Sequence, residues 1–154
     1  MAIRKSLRDV MPLRGHVSVS IYGQASGALL KTIEQDNLIT QGGRSLTAAW
    51  MSGGVEAAPS HIALGTDSTT PQVSDIALGV EYYRQVITDR QNATVQVIYK
   101  LFVSTGSANG QTIREVGLFN APAGGFMFAR AVLSQPIVKT TAITLTVAWT
   151  IDIG

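Results

Sequence analysis

Chemistry at a protein site needs groups that exchange protons, attack as nucleophiles or hold a metal, and this chain supplies few of them. Its 154 residues include two histidines, His16 and His61, ten carboxylates and no cysteine. The carboxylates are scattered, with no Asp-x-Asp pair, no calcium-loop pattern and no His-Glu-x-x-His spacing to gather metal ligands. The missing cysteines remove a disulfide framework, a thiolate zinc site and a cysteine nucleophile together. No Gly-x-Ser-x-Gly elbow presents a serine. His61 opens a stretch of strand composition, where a hydrogen-bonded structural histidine is the commoner arrangement, and His16 borders a basic segment. Gly42-Gly43-Arg44-Ser45, at a helix start, has amides to offer a phosphate, but it lacks the Lys-Ser/Thr ending of a phosphate loop and reads as a turn. Asn92-Ala93-Thr94 matches a glycosylation sequon, without consequence in a chain expected to have no secretory route. The expectation is a non-enzyme with no catalytic residue, metal, cofactor or small-molecule substrate.

Recognition through charge or aromatic surface is the other class of chemistry. Arg4, Lys5, Arg8 and Arg14 against Asp9 give residues 1–16 a charge of +3, which leaves −1 for the rest of a chain whose net charge is +2. Phosphate binding scales with Lys and Arg density, and four cations without interleaved aromatics or glycine-arginine repeats argue against nucleic acid. The same segment carries Ile3, Leu7, Val10, Met11 and Leu13, apolar residues that want a surface to cover. Residues 1–15 are therefore expected to form an extended basic arm that orders on a neighbouring subunit, with Arg4, Lys5, Leu7, Arg8, Met11 and Arg14 as its contacts. Tyr82, Tyr83 and Trp50 could form a sugar platform, but Trp50 lies on the apolar face of a helix, where core packing is expected.

The elements that would position these residues follow from periodicity. Val17, Val19 and Ile21 alternate with Ser18, Ser20 and Tyr22, the two-residue repeat of a strand, and residues 16–39 read as a hairpin turning at 23–27. Thr40 can cap a helix with Leu46, Ala49 and Trp50 on one face, ended by Gly53-Gly54. Residues 61–66 read as a short strand, 67–75 as a polar loop and 76–79 as a single helical turn. Strand composition returns over 81–88, 94–104, 112–119 and 126–133. Ile143, Leu145, Val147, Trp149, Ile151 and Ile153 alternate with Thr144, Thr146, Ala148, Thr150 and Asp152, so residues 142–153 predict a half-buried strand inside the sheet with Leu145, Val147 and Trp149 in the core. About eight strands and one short helix predict a mainly β fold, an antiparallel β-sandwich or small barrel, as one domain over residues 16–154.

Within residues 113–119, Ile113, Glu115, Gly117 and Phe119 are expected on one face and Arg114, Val116 and Leu118 on the other. A carboxylate beside Ile113 and Phe119 needs the sheet rim, a neighbouring chain or a cation, and Arg84, Arg114 and Arg130 are the candidates. Charged residues make up 14% of the chain against about 25% in an ordinary soluble domain, and mean hydropathy is +0.21. Such a surface suits a protein covered by partners, since charge is depleted at the centre of interfaces. No run of about 18 apolar residues is present to span a membrane, and the first residues lack a secretory core, so the chain is expected to be soluble and made in the cytoplasm.

Three segments carry a resemblance. Residues 37–44 (Asn-Leu-Ile-Thr-Gln-Gly-Gly-Arg) precede a short helix; residues 60–67 (Ser-His-Ile-Ala-Leu-Gly-Thr-Asp) precede a Thr-Thr-Pro loop; residues 113–120 (Ile-Arg-Glu-Val-Gly-Leu-Phe-Asn) precede Phe128-Ala129-Arg130-Ala131. With Pro136-Ile137-Val138-Lys139-Thr140 and the Thr-rich final strand, the chain resembles small tail proteins and the N-terminal attachment domains of tail fibres in tailed bacteriophages. The resemblance implies a β-rich domain without known catalysis that docks a fibre or neighbouring protein onto the virion. Its motif residues here are Arg114, Glu115, Gly117, Phe119 and Arg130. The chain ends at Gly154 straight after the last strand, so the expectation is a virion subunit without a fibre shaft. A tail, baseplate or fibre-attachment adaptor, partnered by its own copies and other virion proteins, is the first reading. A capsid decoration protein or a receptor- or glycan-binding module is the alternative.

Overall fold

The structure, a computed structural model, describes residues 12–154. Strands take 52% and helix 8% of it, so the fold is mainly antiparallel β with one helix. In chain order the elements are β1 (Arg14–Gly23), β2 (Leu29–Ile39), α1 (Gln41–Met51), β3 (His61–Gly65), β4 (Glu81–Val86), β5 (Asp89–Ala93), β6 (Gln96–Val103), β7 (Thr112–Phe119), β8 (Met127–Val138) and β9 (Ile143–Asp152). The strands form one sheet in the order β4-β3-β7-β8-β2-β1-β9-β6-β5.

β4 and β5 lie at opposite ends of that order, yet only Ile87 and Thr88 separate them in the chain. The sheet must therefore curl until its two edges nearly meet. The corner amides make the junction: Ile87 N–H donates to Ser60 O at 2.9 Å beside β3, and Thr88 N–H donates to Lys100 O at 2.8 Å in β6. The result is a half-barrel of nine strands. Its two halves face each other across the core, with Val17, Val19, Leu101, Leu145, Val147 and Trp149 from one side and Ile62, Leu64, Val116, Leu118, Ala129 and Ala131 from the other.

The alternation read in 143–152 places β9 between β1 and β6, with Leu145, Val147 and Trp149 fully buried. Trp149 also donates its indole N–H to Asn37 Oδ1 at 3.0 Å. The helix forms as expected: Thr40 Oγ1 accepts from Gly43 N–H at 3.1 Å, capping α1, and donates to Met127 O, fixing the cap to β8. Trp50, expected in the core, is half-buried at its margin. It stacks on Phe128 with centroids 6.3 Å apart and donates its indole N–H to Glu56 O at 2.7 Å, because the chain leaving α1 folds beside it.

Four features depart from the pattern. Residues 76–79 form no helical turn; this stretch is drawn across the sheet, with Leu78 buried against Ala63, Phe119 and Met127. β5, an exposed Asp-Arg-Gln-Asn-Ala edge without an apolar face, adds a strand through a hairpin in which Thr94 adopts φ 58. β8 runs on through Pro136 because its pairing with β7 slips between the Ile113–Ile137 and Glu115–Val132 pairs. Four residues on β8 there oppose Arg114 alone, which is where a proline without an N–H is tolerated. The same slip overturns the expected faces of β7: Ile113 joins Val116 and Leu118 in the inner core, while Glu115, Gly117 and Phe119 face outward beneath the 66–80 segment.

Candidate functional site

Glu115 and Arg130 meet on the outer face of β7 and β8, one strand apart. The Glu115 side chain is fully buried and that of Arg130 is 3% exposed. Arg130 donates through Nε at 3.0 Å and Nη2 at 2.8 Å to Glu115 Oε2, a fork-like grip with a single acceptor oxygen. Its Nη1 donates to Asp75 Oδ2 at 2.9 Å and Nη2 lies 3.4 Å from Asp67 Oδ2. Glu115 takes the loop backbone directly. Oε1 accepts from Val80 N–H at 2.8 Å and Asp67 N–H at 3.3 Å, and Oε2 accepts from Gly79 N–H at 3.0 Å. The group is a clasp: a buried carboxylate satisfied by a guanidinium and three backbone amides, holding both ends of the 66–80 loop to the sheet.

Small residues make room for it. A Cβ on Gly65 would stand 2.4 Å from Glu115 Oε1 and 2.6 Å from Val80 O, and one on Gly79 would stand 2.2 Å from Asp67 Oδ2, so both positions demand a hydrogen. Asp67 is held below the ordinary carboxylate range, chiefly by the Thr69 hydroxyl and further by the Thr69 amide and Arg130.

Of the three cations proposed for Glu115, Arg130 alone binds it. Arg114 points outward and is exposed, since it occupies the slip between β7 and β8. Arg84 instead grips Glu81 through Nη2 at 2.6 Å and Nε at 3.1 Å. It donates to Ala121 O at 3.0 Å and Gly124 O at 2.9 Å, and lies 3.7 Å above the Phe119 ring. It fastens the 120–125 turn. The rim position considered for Glu115 is replaced by full burial, which the paired guanidinium and the amides make tolerable.

His61 Nδ1 lies 2.8 Å from Ser60 Oγ, its chain neighbour, and burial together with Arg84 lowers its pKa from 6.5. His16 Nδ1 lies 3.3 Å from Asp36 Oδ1 at an exposed strand pair. Among the described residues, no three His, Cys, Asp or Glu side chains gather in a metal-holding group. The Gly43 amide at the helix start is taken by the Thr40 hydroxyl. Tyr82, Tyr83 and Trp50 are all half-buried, and Tyr82 donates its hydroxyl to Ala108 O at 3.1 Å, its pKa pushed up to about 12 by burial and by Tyr83.

Arg4, Lys5, Leu7, Arg8 and Met11 lie outside the described residues. Arg14 is the first residue of β1, exposed and paired in register with Asp152, so the sheet begins two residues earlier than the expected His16. At the root of that segment a groove of about 510 Å³ is lined by Pro12, Leu13, Arg44, Thr47, Ala48, Met51 and Ile153. A second depression, of about 260 Å³, has Gly42, Asp75, Ile76, Gly125, Phe126 and Met127 around it. Ile76 is 83% exposed there, next to the clasp.

Comparison with protein-family models, curated proteins and solved structures finds no match.

Sequence reasoning found Glu115 and Arg130 and missed Asp67 and Asp75. Their signal was the pairing of acids with Gly65 and Gly79 at the two ends of one loop. Lys139 was missed too: it is fully buried, its ammonium donates to Asn109 Oδ1 at 2.9 Å and Thr140 O at 3.0 Å, and desolvation lowers its pKa.

Proposed function

We propose that this chain is a structural subunit of a bacteriophage virion, a tail, baseplate or fibre-attachment adaptor that works by associating with its own copies and docking neighbouring virion proteins. One observation carries the reading. Two of the segments on which the phage resemblance rests, residues 60–67 and residues 113–120 with Arg130, come together at the Glu115–Arg130 clasp, while Thr40 in the third bonds the same β8 strand. What the clasp holds is a loop with Val73 and Ile76 exposed, beside exposed Phe126. Groups arranged this way fix a presenting surface: the Glu115 carboxylate and the Arg130 guanidinium both bond within the fold.

The outer face of the other half supports the same reading. Ser18, Ser20 and Tyr22 of β1 pair in register with Ala148, Thr146 and Thr144 of β9, a small-residue, uncharged face with charges at its borders. Uncharged surface of this kind is suited to burial between subunits.

The test is to purify particles from lysates of the host that carries this sequence and quantify the chain across a density gradient. A subunit co-sediments with the particles at a fixed ratio to the other particle proteins and withstands a salt wash. A chain that stays at the top of the gradient contradicts the proposal.

A further inference from the structure

We propose that the groove between α1, the Pro12–Leu13 approach to β1 and Ile153 at the end of β9 receives residues 3–11 of a second copy of this chain. The inference rests on the assembly reading above and names the surface that assembly uses. Apolar Leu13, Ala48, Met51 and Ile153 are among the residues lining the groove, and Met51 stands 75% exposed. An unbranched thioether is adaptable packing for an incoming apolar chain. Residues 3–11 bring Ile3, Leu7, Val10 and Met11.

Charge matches as well. Asp9 is the single acid of the segment, and Arg44 is among the residues lining the groove. The segment's cations, Arg4, Lys5 and Arg8, have Asp36 and Asp152 to meet, which line the adjoining depression around Arg14; the Asp36 side chain is 95% exposed.

The occupant is a second copy because of where the segment starts. Pro12 itself lines the groove, so a segment preceding it would have to reverse within a residue or two to enter the same groove, and a proline disfavours in the residue before it the helical conformation that a tight reversal uses. Eleven residues reach at most about 36–40 Å, enough to cross to a neighbour of this size. Two copies about a twofold axis would then exchange segments reciprocally, each root lying beside the other's groove.

The absence of cysteine makes the test clean. Full-length Leu7→Cys and full-length Met51→Cys chains, carrying different tags, are mixed and mildly oxidised. The expected product is a disulfide-linked heterodimer joining residues 7 and 51, in at least tenfold excess over a control pairing Leu7→Cys with Gln91→Cys on the exposed β5 edge. Equal yields overturn the proposal. So does a Leu7→Cys/Met51→Cys double variant that forms only an intrachain disulfide at every concentration, since the groove would then hold its own segment. Independently, Met51→Glu should leave circular dichroism unchanged and weaken self-association at least tenfold by sedimentation velocity; unchanged association counts against the proposal. Lost cross-linking in a chain that still co-sediments with particles rejects the groove alone, and retained cross-linking in a chain absent from particles rejects the particle reading alone.

Discussion

A carboxylate with no exposed surface is tolerable only while its partners stay in place, and Glu115 has one cation and three amides. Arg130→Met removes the cation and leaves a buried charge, so it should cost about 3–5 kcal/mol. Adding Glu115→Gln should recover part of that, because the uncompensated charge is gone and the amide oxygen still accepts on one side, while the NH2 faces a loop N–H on the other. Urea unfolding of the two single variants and the double gives the coupling; additive losses would mean that the two side chains do not act as a pair. Acid sensitivity belongs to this scale too. His61 has a lowered pKa, so the fold prefers it neutral: its contribution is complete above pH 6.5 and is lost as pH falls from there towards the folded value. Asp67, lowered from 3.8, loses its contribution only as pH falls below that value. Melting temperature should therefore begin to drop as pH falls below 6.5, and His61→Gln should flatten that first step. Glu115 was legible as a residue needing a partner because it sat among apolar neighbours. Which arginine it would find was not legible, since the choice depends on strand order and on the slip at Arg114.

Elements read best where one face is dry and the other wet. β9 meets that condition, and its burial alternates from Thr144 to Asp152. Trp149→Ala would open a cavity in the half-barrel and orphan Asn37 Oδ1; a loss of about 3–5 kcal/mol is expected, and an unchanged melting temperature would show that the indole is not packed. β5 escaped because all five of its residues are exposed, so no periodicity marks it; only its hydrogen bonds to β6 make it a strand. β8 continues past the expected end at Leu133 through Pro136; a proline in a central strand normally breaks the ladder, and the slip opposite Arg114 removes that conflict. The helical turn expected over 76–79 does not form because Leu78 is held by tertiary contact with Phe119 and Met127, which no local pattern contains.

For the whole molecule, the mainly β class followed from strand count and turn spacing, whereas the meeting of β4 and β5 at the Ile87–Thr88 corner did not, because closure is a property of the complete strand order. The sheet begins at Arg14 and Leu13 packs against the core, so the domain should not need residues 2–11. Deleting them should leave circular dichroism and melting temperature within about 2 °C of the full chain while weakening self-association; a truncated chain that unfolds would place those residues inside the domain. The central claim is that this half-barrel is a fixed part of a particle. A reconstruction of the native particle at a resolution that separates strands tests it most directly. The account predicts symmetry-related copies of the nine-stranded half-barrel, with the 66–80 loop or the uncharged β1–β9 face buried against neighbouring proteins. A complete reconstruction containing no such copies would contradict it.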